Sequence, residues 1–395
     1  MSGGYRLAIV VPRYGPEVNG GAESLAREYA QRLAPHVDVT VLTTCALDYR
    51  SWANHFAPGE HRDGPVRVMR FTVDRERDDE EFDSFSADVL RARRISERDA
   101  RRWMDLQGPI AYGLEEHLAT HGSTYDAVLF IPYLYATTYR ALPSVADRAV
   151  LVPALHDEPP LRLPIFDEMF RSSQRIICST PEEADLVRAR FRVPEDRIHL
   201  VGAGIDPAPD TDASAFAPSL GIDRPYILSL GRIDPSKGSG DLIRHHAAYR
   251  STRPYGPDLV MLGRSVMDVP AEPWLHVTGF VDDDTKHAAI AGCTALASAS
   301  PFESLSLVLL EAWAHGRPTI VTSASDVLVG QTRRSGGGLW FDGAAEYGAL
   351  VDLLTSRPPL AWGLGRAGWR FSRGLTWDSV IARLLDALPS SPVPA

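Results

Sequence analysis

Residues 7–12 form an unbroken apolar run, the pattern of a strand buried on both faces, and a loop rich in Pro and Gly follows at 13–21. Ala22, Leu25, Ala26, Tyr29, Ala30 and Leu33 then recur at helical spacing, and residues 37–44 read as strand again. Strand, glycine loop, helix and strand in that order imply parallel pairing with a right-handed crossover. The pattern continues with strands at 127–131, 149–155, 175–179 and 198–201 and a helix at 181–191 that opens on proline. Residues 202–224 are rich in Pro, Ala, Asp and Gly and show no period, so they read as the turn into an interdomain linker. A second series follows, with strands at 226–230, 259–262, 275–277, 295–299 and 319–322 and helices near 240–250, 285–291, 305–315 and 346–355. The alternation predicts an α/β protein of two doubly wound units.

Composition agrees with that reading. The 395 residues, 44% hydrophobic and 23% charged, supply core for two domains and exclude disorder. A formal charge of −10 gives no global basic field, so nucleic acid is not an expected partner. Three separated cysteines without a CxxC signal neither a zinc site nor a disulfide framework, and a reducing cytoplasm is expected. The run at 7–12 is too short for a signal segment or an integral membrane span. The acidic runs at 78–81 and 282–284 lack a supporting ligand set, so no metal site is expected, and the charged segment 74–102 reads as a solvated loop and helix. Lysine occurs only at Lys237 and Lys286 among 41 basic residues, a bias expected of a GC-rich genome. A lysine kept against that bias invites a chemical explanation.

The densest chemical signal is PFESLSLVLLEAWAHGRP at 301–318, between two predicted strands. Glu303 precedes a helix start, where the amides of Ser304, Leu305, Ser306 and Leu307 present free N–H groups as an anion cradle. Glu311 lies roughly 6 to 10 Å further along the axis. One carboxylate then suits a sugar and the other a ribose, with a diphosphate over the amides between. The bland alternative is a buried helix whose Glu311 pairs with an arginine. The second signal is Gly231-Arg232-Ile-Asp-Pro-Ser-Lys237-Gly, directly after a strand. Its guanidinium and ammonium suit a leaving diphosphate, and it lacks the P-loop order. Gly20 and Gly21 at the mouth of the first strand allow close backbone approach. His156, at the carboxyl end of a predicted strand, stands where open α/β sheets place ligands.

Together GGAE, HD, GRIDPSKG and PFESLSLVLLEAWAHGRP resemble the GT4-type retaining glycosyltransferases and their EX7E motif, with matches in both halves of the chain. The resemblance implies the GT-B architecture, two Rossmann-like domains facing an interdomain cleft: an acceptor-side domain at 1–205, a linker at 206–224, a nucleotide-sugar domain at 225–375, and a segment from about 376 to 395 packing back on the first. It implies Arg232 and Lys237 on the donor diphosphate beside Gly231, Glu311 on the ribose and Glu303 on the donor sugar with the 304–307 backbone. It further implies Gly20 and Gly21 near the phosphates, His156 on the sugar, and Phe280 and Val281 near the base. Serines at 304 and 306, where many relatives carry glycine, leave the identity of the donor sugar open.

The implied function is metal-independent, cofactor-free transfer of a hexosyl-type sugar from a nucleotide-diphosphate sugar, UDP- or GDP-linked, to a hydroxyl of a glycan, lipid-linked sugar or natural product. The setting would be a bacterial cytoplasm, with peripheral membrane docking left open. The loops at 13–19, 48–62 and 74–102 are expected to meet the acceptor. The alternatives are a nucleotide-sugar epimerase or sugar phosphorylase on the same fold, and a non-catalytic nucleotide-sugar-binding subunit.

Overall fold

Strand β1 (Arg6–Val10) has no exposed side chain from Leu7 onward, because both of its faces are covered, and this is why its sequence does not alternate. The computed structural model describes residues 4–18 and 20–389 and divides into two units, Met1–Gly202 with Val380–Ala395, and Ala203–Ser379. In the first unit β1 is joined by β2 (Asp38–Thr44), β3 (Gly59–Asp63), β4 (Val66–Phe71), β5 (Ala127–Phe130), β6 (Ala149–Leu151), β7 (Arg175–Cys178) and β8 (Ile198–Leu200). Their order is β3-β4-β2-β1-β5-β6-β7-β8, parallel throughout except for the antiparallel β3–β4 edge.

The β3–β4 hairpin is absent from the apolar pattern because β3 is solvated and carries only GEHRD. Its signal is the Asp63-Gly64 turn, with Gly64 at φ +57°. Strand β6 stops at Leu151, short of the expected residue 155, where Ala154 adopts a left-handed φ of +51°. The charged segment 74–102 forms a helix at Asp79–Arg91 and the start of another at Glu97–Gln107. Its charges pair with one another, as in Arg75 with Glu81 and Arg101 with Glu97, and Asp78 caps the first helix by accepting the N–H groups of Glu80 and Glu81.

The second unit carries β9 (Tyr226–Leu230), β10 (Asp258–Leu262), β11 (Leu275–Gly279), β12 (Ala295–Ser298), β13 (Thr319–Thr322) and β14 (Gly338–Phe341), in the order β11-β10-β9-β12-β13-β14. Every adjacent pair is parallel. Leu228, Val260, Leu296 and Val321 pack on one face with Leu309, Leu310 and Trp313. Ile227, Leu259, Ala295 and Ile320 pack on the other with Leu242, Ile243 and Tyr347.

The expected linker is corrected. The unit boundary falls between Gly202 and Ala203, and within 206–224 a short helix, Phe216–Ser219, sends Phe216 into the second core with Ile222. Two isolated apolar anchors produce no period, which is why the segment reads as unstructured. At the other end Trp377 still belongs to the second unit, where it covers Gly204, and only residues from Val380 onward belong to the first. There the Arg383 guanidinium donates to the Val201 carbonyl at 2.8 Å and Tyr5 Oη donates to the Pro389 carbonyl at 2.8 Å. The expected returning segment extends through residues 390–395, and the first loop includes Asn19; both lie outside the described residues.

Candidate active site

In the second unit β9 has β10 on one side and β12 on the other, so the chain reverses its winding there, and ligands of open α/β sheets bind beyond the carboxyl ends of such strands. The loop after β9 holds Gly231, Arg232 and Lys237, and the loop after β12 holds Glu303, Ser304 and Ser306. Sheet order thus brings together two motifs that lie 66 residues apart at their ion pair, Lys237 Nζ to Glu303 Oε1 at 2.9 Å. Gly238 makes the approach possible: it sits at φ +66°, and a Cβ there would lie 2.0 Å from the Ala299 carbonyl oxygen. Gly238→Ala is therefore expected to destabilise the second unit by about 2 kcal/mol or more and to lower the melting temperature by about 4–8 °C. A thermal melt checks it.

Arg232 Nε meets Asp234 Oδ2 at 2.7 Å, and Asp234 also accepts from the Ser236 hydroxyl and N–H at 2.7 Å each. Burial opposes the Asp234 charge, yet those donors and the guanidinium outweigh it and hold the carboxyl below its usual range. The guanidinium is thereby aimed from a braced turn, Pro235–Lys237.

Glu311 stands on the helix Leu307–Ala314 and pairs with Lys286, Nζ to Oε1 at 3.2 Å, instead of with an arginine. Lys286 also reaches Asp283 at 2.9 Å. Both lysines of the chain therefore contact the two glutamates spaced eight apart. Lys286 was not assigned to the site from the sequence; its rarity was the signal that could have found it. Burial weakens the Lys286 charge, but Glu311 and Asp283 prevail and its pKa is raised. His315, one turn beyond Glu311, is bonded to His287 at 2.9 Å, and burial followed by the nearby positive groups lowers it to about 4. His315 is neutral at pH 7, which leaves Lys286 as the cation facing Glu311.

The expected amide cradle is corrected at Ser306. Its N–H donates to Gln331 Oε1 at 2.9 Å, and Gln331 Nε2 donates back to its carbonyl at 3.4 Å. The helix begins at Leu307, later than expected, and the Ser306 hydroxyl makes no capping bond. A buried glutamine on the helix Asp326–Ser335 occupies the place of a cap, so the N–H groups left without an intrahelical acceptor begin at Leu307. Phe280 is exposed and Val281 packs partly on the core, at the end of β11.

In the first unit Gly20 and Gly21 open the helix Gly21–Leu33 directly beyond β1, which likewise stands where the winding reverses, between β2 and β5. A Cβ on Gly20 would strike the Glu23 carboxylate, whereas one on Gly21 would meet nothing within 4 Å. A side chain at Gly20 would have to displace the Glu23 carboxylate, whereas Gly21 has open space. Arg13, in the loop expected to meet the acceptor, is instead buried: Nε donates to Glu23 Oε1 at 3.0 Å and Nη1 to the Leu47 carbonyl at 2.9 Å.

His156 follows β6, with Nδ1 3.5 Å from Glu158 Oε1, and Glu158 accepts from Tyr133 Oη at 2.9 Å. The neighbouring Leu155 N–H donates to Glu183 Oε1 at 2.6 Å, while Ser179 N–H donates to its Oε2 at 2.6 Å. Glu183, on the first turn of Pro181–Phe191, thus ties the His156 loop to the end of β7. Burial pushes Glu183 up to about 8 despite the two amide donors. Its folded pKa lies above its unfolded value, so the folded state binds the extra proton and stability is expected to fall as pH rises from about 4.5 to about 8. Melting temperatures across that range should slope downward, and Glu183→Gln should flatten the slope.

The model of the glycosyl transferases group 1 family matches residues 224–354, the stretch that holds Gly231, Arg232, Lys237, Glu303 and Glu311. The D-inositol 3-phosphate glycosyltransferase of Xylanimonas cellulosilytica is 30% identical over 270 residues, 60% of this chain and 62% of that protein. The chain thus matches somewhat under two thirds of that relative's length. Among solved structures, sucrose-phosphate synthase from Thermosynechococcus elongatus covers 97% of this chain and 98% of its own, at a TM-score of 0.69 and 15% identity. Anabaena Alr3699/HepE in complex with UDP-glucose covers 97% of this chain and 100% of its own, at a TM-score of 0.68 and 14% identity. The likeness to both structures shows the GT-B fold. The GT-B fold thus extends across both units, and over residues 224–354, the stretch that carries both motifs, the chain is similar to the group 1 glycosyl transferases.

Proposed function

We propose that this protein is a retaining glycosyltransferase that moves a hexosyl-type sugar from a nucleotide-diphosphate sugar to an acceptor hydroxyl. One observation carries the reading: beyond the ends of β9 and β12, the Lys237–Glu303 and Lys286–Glu311 pairs set two carboxylates and their cations on the two sides of one helix N-terminus. Glu311 takes the ribose hydroxyls, Glu303 the sugar hydroxyls, and Arg232, Lys237 and the helix-end amides the diphosphate, with Phe280 and Val281 beside the base. His156 and Gly21 keep the roles that the family resemblance assigns them, toward the transferred sugar and the phosphates.

In the reaction the bond from the anomeric carbon to the phosphate oxygen breaks. The acceptor oxygen bonds to that carbon on the same face, and its proton passes to the departing phosphate. Charge grows on the diphosphate as the bond opens, so cations already aimed there stabilise the transition state more than the ground state. Arg232 and Lys237 supply that charge without a metal or a cofactor. A UDP-sugar is the favoured donor, as in the UDP-glucose complex of the structural neighbour. The acceptor belongs to the glycans, lipid-linked sugars, natural products and small polyols, and the name of the curated relative makes D-inositol 3-phosphate the first to test.

A thermal-shift screen of UDP, GDP, ADP, TDP and their sugars, with and without magnesium, tests the donor site. The expected result is a shift for one ribonucleotide that is unaffected by magnesium and lost in Glu311→Ala. No shift with any nucleotide, in a folded protein, defeats the proposal. Consumption of nucleotide sugar without an acceptor would favour an epimerase.

A further inference from the structure

Five of the eight tryptophans are buried, and the three exposed ones, Trp340, Trp362 and Trp369, fall within thirty residues of one another at 46, 64 and 39% exposure. Two stand on the helix Pro358–Ser372, seven residues apart and so on one face. Arg366, Arg370 and, just past the helix, Arg373 continue that face at intervals of three and four residues, and Arg357 precedes it. All four arginines are exposed, and none forms an ion pair among the described residues. Arg366 lies over the Trp362 ring at 5.1 Å and Arg373 over the Trp369 ring at 5.0 Å. Residues 353–377 contain no Asp or Glu, in a chain whose net charge is −10.

The neighbouring face of the helix, with Gly365, Gly368 and Ser372 buried, is fixed. A Cβ on Gly368 would lie 2.3 Å from Trp313 Cδ1, and one on Gly365 would lie 1.9 Å from the Gly316 carbonyl oxygen. These glycines press the helix onto Leu307–Ala314 and its C-terminal turn, which turns the Trp and Arg stripe outward. No helix among the described residues is long and apolar enough to cross a membrane.

We propose that this face docks on an anionic lipid surface. Indole rings settle at the level of lipid headgroups, and guanidinium groups without carboxylate partners bind phosphate through paired N–H donors. Rings capped by arginines make a mixed stripe that suits the interface, where one end of each side chain is apolar and the other wet. Charge complementarity selects the surface: it is the one long stretch of the second unit's sequence with four cations and no anion, so acidic headgroups attract it while the rest of an acidic chain is repelled. The inference stands apart from the donor-site reading.

The test is co-sedimentation of the full chain with vesicles of equal parts phosphatidylglycerol and phosphatidylcholine, against phosphatidylcholine alone. The protein is expected to pellet with the anionic vesicles only, less so as salt rises, with a blue shift in tryptophan emission. Each charge contributes about fivefold, so Arg366→Glu, Arg370→Glu and Arg373→Glu together should weaken binding by a hundredfold or more, about the product of three such factors. Trp362→Ala with Trp369→Ala should weaken it about tenfold. Arg93→Glu, Arg94→Glu and Arg98→Glu, exposed in the first unit, should leave the difference between the two vesicle types intact. Unchanged melting temperature and nucleotide binding would show that the variants are folded. Failure to pellet with anionic vesicles overturns the proposal, as does equal loss in the control variant. So does self-association without lipid that the tryptophan substitutions abolish, which would assign the face to a second copy of the chain.

Discussion

Lys237→Ala is expected to lower turnover by about 10²–10³-fold while leaving donor affinity within a few fold. The removal of a single preorganised group facing developing charge has effects of that size. The ammonium sits 2.9 Å from Glu303, a residue proposed to hold the donor sugar, so it stands where the leaving diphosphate and the sugar would meet. In the proposed site a ground-state diphosphate would already be held by Arg232 and the helix-end amides. The charge added as the glycosidic bond opens is what Lys237 would answer, which places its effect on kcat more than on KM. Lys237→Arg should restore part of the charge but not its geometry, because a planar fork cannot replace a compact ammonium in the turn Pro235–Lys237. Steady-state kinetics with the donor found by the thermal screen decides the matter. An unchanged kcat in Lys237→Ala would remove Lys237 from the chemistry.

Glu311→Ala should act on the other parameter and weaken nucleotide binding about 10–100-fold. A hydrogen bond to a charged partner contributes about 1.5–3 kcal/mol, so the net loss of one such bond from the ribose hydroxyls gives a factor of that order. The fold should tolerate the change, since Lys286 keeps Asp283 as a partner at 2.9 Å. Lys286→Met tests how the carboxylate is held. If the ammonium acts only by orienting Glu311, the substitution weakens binding in the parent protein and adds nothing in the Glu311→Ala background. Calorimetric titration of the four proteins with the nucleoside diphosphate measures the cycle. Full additivity would mean that Lys286 contacts the nucleotide by its own route.

The two motifs of the second unit were legible because their chemistry is local. A strand followed by GRIDPSKG, and a strand followed by a proline, a glutamate and an apolar helix with a second glutamate eight residues on, can be read from one stretch of chain each. Lys286 was less so, because GFVDDDTKH reads as an ordinary helix start and its lysine finds Glu311 only once β11 and β12 stand on either side of β9 and β10. Gln331 was invisible for the same reason. Nothing near it in sequence announces that it will bond the backbone of Ser306, 25 residues away.

Burial on both faces writes continuous apolar runs into parallel strands, so the sequence alone determined that the chain is α/β, that it has two winding units, and which loops carry cations and carboxylates. It did not reveal the β3–β4 hairpin, whose solvated edge leaves no apolar trace, nor the place of residues 206–224, whose two buried anchors are too few to make a period. Tertiary structure decided which amides Gln331 consumes, which carboxylate each lysine meets, that Arg13 and Glu183 serve the scaffold, and which face of Pro358–Ser372 turns outward. The physical reason is common to all of these. They depend on sheet order and on the close approach of backbones at Gly238, Gly365 and Gly368, and such contacts join residues too far apart in sequence for any local pattern to encode them.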